Sequence, residues 1–101
     1  MTIYHIVLPE VWKEFKGEEF YEAESLAAEG FIHCSFENQL EGVLERYYSG
    51  VERVLILEIN PGKLTSKVVC EPSTNDEIYP HIYGKINSEA VIGTKARDLE
   101  T

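Results

Sequence analysis

The sequence predicts an α+β domain, and three observations carry that reading. Helical periodicities are concentrated in the first half of the chain. Runs of β-branched and aromatic residues recur through the second half. No regular strand–helix–strand alternation, the mark of a parallel α/β sheet, is present. The 101 residues suit a single domain, with a core over about 3–95 and a charged C-terminal tail after Arg97. A hydrophobic content of 44% with 11% aromatics is globular and sufficient for one core.

Ile3 to Leu8 (IYHIVL) reads as a strand ended by Pro9, which suits the first turn of a helix. Val11, Trp12 and Phe15 share one helical face, and Gly17 stops that helix. In the acidic stretch that follows, Ser25 is the expected cap of a short helix through Glu29, and Gly30 the left-handed residue after it. Phe31 to Ser35 reads as a second strand. Phe36, Leu40, Val43, Leu44, Tyr47 and Tyr48 form a helical apolar stripe, with Ser35 as its expected cap and Ser49-Gly50 as its stop. This makes the Tyr47-Tyr48 pair expected core. Arg53 to Ile59 is a nearly continuous apolar run and so a central strand. Ser66 to Glu71, Pro80 to Ile86 and Ala90 to Lys95 complete about six strands.

The formal net charge is −9. With no Lys/Arg cluster, duplex nucleic acid is not an expected partner, since its binding proteins neutralise several phosphates. No apolar run approaches the roughly 20 residues of a membrane span, and Met1 to Leu8 does not read as a secretory signal, so the expected location is cytoplasmic. Cys34 and Cys70 form no C-x-x-C pair and are expected to be buried thiols.

All three histidines fall in predicted strands. Strand parity puts His5 with Ile3 and Val7, His33 with Phe31 and Ser35, and His81 with Tyr83. Polar groups set among apolar neighbours on a sheet suggest the wall of a cleft, and the three imidazoles are expected to gather along it. A satisfied structural role is the competing reading for each. No histidine pair has a metal-ligand spacing, so no metal is expected. Glu71, ending the apolar run KVVCE, is the acid singled out. Its alternative is a solvated strand end.

Tyr4-His5-Ile6, Trp12, Tyr21, Ser25-Leu26, the run EGFIHCS over residues 29–35, Gln39, Glu71 and the run PHIYG over residues 80–84 together resemble the domain of unknown function 952 family, over about residues 3–93. That family is grouped with the ADP-ribosyltransferase fold. The resemblance implies a split, strongly bent, mainly antiparallel sheet with a cleft between its halves. It also implies NAD as a cofactor and His5 in the first ligand-holding role, with Ser35 or Tyr21 in the second and Glu71 in the third. Removal of an RNA 2′-phosphate, another activity of the fold, fits this acidic chain poorly.

Two functions follow, with a third as the bland case. In the first, an enzyme acts at the N-glycosidic bond of a nicotinamide dinucleotide or similar nucleotide. His33, Glu71 and His81 are then catalytic, and His5, Tyr21, Ser35 and Tyr83 bind the ligand. In the second, a non-catalytic module keeps the fold and cleft. In the third, the histidines are structural.

Overall fold

The computed structural model describes residues 1–99. Alternating and continuous apolar runs form eight strands: β1 (Ile3–Val7), β2 (Phe20–Tyr21), β3 (Ile32–His33), β4 (Arg53–Ile59), β5 (Lys67–Pro72), β6 (Ile78–Tyr83), β7 (Ile86–Asn87) and β8 (Val91–Asp98). Among the described residues three α-helices, α1 (Pro9–Lys13), α2 (Glu24–Glu29) and α3 (Leu40–Tyr47), all precede β4, and only short 3-10 turns follow it. The expected α+β order with helices in the N-terminal half is therefore observed.

The strands make two three-stranded antiparallel sheets, ordered β1-β4-β8 and β3-β6-β5, and a small β2-β7 ribbon. The sheets meet where Tyr4 and Ser35 form an isolated antiparallel bridge. Tyr4 N–H donates to the Ser35 carbonyl at 2.8 Å, and Ser35 N–H returns to the Tyr4 carbonyl at 2.7 Å.

Parity sorts the apolar side chains into two cores. Ile3, Val7, Leu57 and Ile59 of the first sheet pack with Ile32, Cys34 and Ile82 of the second. Val11 and Trp12 of α1, Phe15 just beyond it, and Leu26 of α2 close this core. On the other face of the first sheet, Ile6, Val54 and Ile56 pack under Leu40, Val43 and Leu44 of α3. The bidentate pair of Arg97 with Glu41, both contacts at 2.8 Å, ties β8 to that helix.

Several local expectations are corrected. Phe31 to Ser35 is not one continuous strand; only Ile32–His33 pairs regularly, and Ser35 bridges to β1. Ser35 caps no helix, because its backbone is committed to Tyr4. The chain instead enters a 3-10 turn, Glu37–Gln39, in which the Gln39 amide oxygen accepts from Phe36 N–H at 2.9 Å. Ser25 lies inside α2, whose N-cap is Ala23, while Gly30 is left-handed at φ 92° as expected. The expected strand from Pro80 to Ile86 is broken at Gly84 (φ 153°), where a Cβ would collide with the Ser66 hydroxyl. Cys34 is buried, but Cys70 is exposed because β5 is an edge strand. Tyr47 is exposed and not core, its hydroxyl 2.6 Å from Thr74 Oγ1. No helix among the described residues is long and apolar enough to cross a membrane.

Candidate functional site

A cleft of about 860 Å³ opens along the seam between the sheets. β1 supplies Tyr4 and His5, α1 supplies Val11, and Glu14 and Phe15 follow that helix. Tyr21, Glu22, Ser25 and Glu29 contribute from β2 and α2, and His33 and Ser35 from the β3 segment. Tyr47, Tyr48, Thr74 and Tyr79 stand across from them. Glu14, Glu22, Glu24 and Glu29 are its charged lining residues, and no Lys or Arg lines it among the described residues.

His5 lies at the buried floor. The His33 carbonyl accepts from His5 Nδ1 at 2.7 Å, so Nδ1 carries the proton. Nε2 then accepts from the Tyr21 hydroxyl at 2.8 Å. Burial pushes the His5 imidazole down to about 4, partly opposed by that backbone bond, so the ring is neutral near pH 7. Burial likewise raises the Tyr21 phenol, keeping its O–H as donor. Trp12 and Phe15 pack edge-on against Tyr21, with ring centroids 5.5 and 4.9 Å away, and hold it in place.

His33 stands half-exposed in the cleft wall. Its Nε2–H donates to Glu29 Oε2 at 3.1 Å. The contact is local: Glu29 ends α2, and Gly30 reverses the chain so that a residue four positions on meets its carboxylate.

The remaining candidates form a second group on the outward face of the β3-β6-β5 sheet. Register places His33 directly opposite His81, and Val69 opposite His81 on its other side. Alternation then puts Glu71 and Tyr83 on this same face. His81 Nδ1–H donates to Glu71 Oε1 at 2.8 Å, and the Tyr83 hydroxyl donates to the same oxygen. These two donors, Tyr83 foremost, hold the Glu71 carboxyl below the usual carboxylate range. Phe31 stacks on His81 with centroids 4.1 Å apart and planes 16° from parallel. The His81 side chain is only 3% exposed, and its Nε2 is buried without a hydrogen-bond partner. A buried orphan of this kind costs about 1–3 kcal/mol.

The seven sequence candidates thus fall into two sets. His5, Tyr21, His33 and Ser35 line the cleft. Glu71, His81 and Tyr83 do not line it, and His81 adjoins it through His33, their ring centroids 5.2 Å apart. One common groove for all three imidazoles is not what forms: His5 points between the sheets, while His33 and His81 occupy the outer face of theirs. Glu29, which lines the cleft and pairs with His33, is not the acid that the sequence singled out. The four-residue interval from Glu29 to His33 across a glycine was the signal available for it. Tyr79, held by Arg46 Nη2 at 2.8 Å, was missed and carried no such signal.

An α+β chain built as two antiparallel sheets sharing a polar seam is the class that fold and site define. The family described as Protein of unknown function (DUF952) matches residues 6–94, and the chain belongs to that family. Its fold is shared with the crystal structure of protein CC0527 from Caulobacter crescentus, at TM-score 0.89 and 24% identity, covering 100% of this chain and 90% of that one. A double mutant of CC0527 gives TM-score 0.89 at 22% identity, with the same coverage. The solution structure gives 0.78 at 23%, covering 99% and 87%. No curated protein matches the chain.

Proposed function

We propose that the seam cleft is a small-ligand site for a nucleoside-like molecule of neutral or cationic character, and that its chemistry is at an N-glycosidic bond. The observation that carries this is the sign of the lining charge: four carboxylates and no Lys or Arg among the described residues. Such a wall favours a cationic base and the oxocarbenium-like centre that forms as an N-glycosidic bond breaks. It offers no counter-charge to a pyrophosphate. The ADP-ribosyltransferase-like reading is therefore carried here by the glycosidic chemistry and not by the dinucleotide as a whole.

In this reading Glu29 stabilises the cationic sugar as the C–N bond breaks and its electron pair leaves with the base; water forms the new C–O bond, and His33, oriented by Glu29, takes the proton that water gives up. Tyr21, whose O–H is spent on His5, presents its oxygen lone pair to the ligand, and Ser35 adds a hydroxyl. Glu71, His81 and Tyr83 support His33 from behind. A second reading, a binding module without turnover, is favoured by one observation: both ring nitrogens of His5 are already committed inside the fold.

Calorimetric titration with nicotinamide riboside and with NAD tests the ligand class. The riboside is expected to bind, and the dinucleotide at least tenfold more weakly. Absence of heat with both at millimolar concentration overturns the reading. Release of free nicotinamide, lost in Glu29→Gln, separates the enzyme from the binding module.

A further inference from the structure

We propose that His33 and His81 form an open two-histidine site for a divalent first-row transition-metal ion. The inference does not rest on the nucleoside reading of the cleft. It starts from the unpartnered buried nitrogen of His81. Glu71 accepts from Nδ1–H, and the buried Nε2 has no hydrogen-bond partner among the described residues, so Nε2 is the nitrogen left for a ligand. β6 lies between β5 and β3, and Glu71 takes the nitrogen on the β5 side. β3 lies on the other side of β6, and there His33 stands directly opposite His81 in register.

His33 repeats the arrangement. Its Nε2 is held by Glu29, which leaves Nδ1 free. Each imidazole thus has one nitrogen fixed by a carboxylate and the other available, the pairing that orients histidine ligands and raises their basicity at metal centres. The spacing also agrees. Two imidazoles on one tetrahedral ion, each at a metal–nitrogen distance of about 2.0–2.1 Å, have ring centres roughly 5 Å apart. The two rings here stand 5.2 Å apart at an interplanar angle of 78°. Phe31 covers the face of His81 and stands edge-on to His33, so it shields both rings.

No group of three His, Cys, Asp or Glu converges among the described residues. The ion would accordingly have two protein ligands and keep its other positions for water or an exogenous oxygen or nitrogen donor. Imidazole nitrogens suit copper, nickel and zinc, with copper(II) bound most tightly of the three. Because His33 also lines the cleft, the open positions would lie at its wall.

The test is titration of the metal-free protein with zinc, nickel and copper(II) salts, read by calorimetry and by the imidazole nitrogen resonances. One equivalent is expected to bind in the micromolar range. The signals that move should be His81 Nε2 and His33 Nδ1, while both His5 nitrogens stay in place. His33→Ala should weaken binding at least tenfold; its side chain is half-exposed, so the fold should tolerate the change. Glu71→Gln should weaken it about tenfold with both ligands still present. Binding no tighter than millimolar overturns the proposal. So does binding unchanged by His33→Ala, which would put the ion on surface carboxylates.

Discussion

The ring of His5 donates a hydrogen bond to the backbone carbonyl of His33, 28 residues away, at 2.7 Å. This contact fixes the tautomer at the cleft floor and ties the floor to the wall that holds the exposed imidazole. His5 Nδ1 must stay protonated and Nε2 bare, which is why Tyr21 donates and does not accept.

Stability should fall in acid through His5. Its folded pKa of about 4 lies below the ordinary 6.5. As pH drops below 6.5, the unfolded chain takes up a proton that the folded chain refuses, so unfolding becomes easier. The loss develops between about pH 6.5 and pH 4 and amounts to about 3 kcal/mol. Urea melts across this range should show it, and His5→Gln should flatten that part of the profile. A wild-type profile level between pH 7 and 4 would contradict the assignment.

Tyr21→Phe removes the donor to His5 Nε2 and leaves a buried acceptor unsatisfied. The expected destabilisation is about 1–3 kcal/mol by chemical denaturation. The His5 pKa should move little, because burial sets it, and proton resonance titration would check that.

Glu71 raises the Tyr83 phenol by accepting its hydrogen bond. In Glu71→Gln the Tyr83 ionisation should return toward its ordinary value of 10.0. Spectrophotometric titration against a Tyr83→Phe control would detect this. No change would mean that the two groups are not paired in solution.

Two hydrophobic truncations should behave oppositely. Leu57 is fully buried between the sheets, and Leu57→Ala should cost about 2–5 kcal/mol in thermal or chemical unfolding. Ile92 is 52% exposed on β8, and Ile92→Ala should fall within about 0.5 kcal/mol of wild type.

Periodicity revealed what depends on a single element. It placed the α1 face through Val11, Trp12 and Phe15, the left-handed Gly30, and the central run from Arg53 to Ile59. Parity also foresaw that Tyr83 shares a face with His81. It could not say which way one sheet's face turns relative to another's. His5 and His33 therefore looked equivalent, although one faces inward and the other outward. The pairing of His33 with His81 is a register, and register arises between strands distant in sequence. Tyr47 is the residue at which helical spacing misled. It stands at the helical spacing of the apolar stripe, yet its ring is exposed and its hydroxyl meets Thr74, while the neighbouring Tyr48 packs on the core.

Tyr4 and Ser35 exchange two backbone bonds at the seam, and theirs is the isolated bridge between the sheets. Their amide protons therefore serve as a gauge of gap width. A guest that needs a wider entrance must strain this rung and the neighbouring His5–His33 contact, while neither sheet has to unravel. Deuterium uptake at these two positions, followed with and without an occupant, would measure that breathing directly.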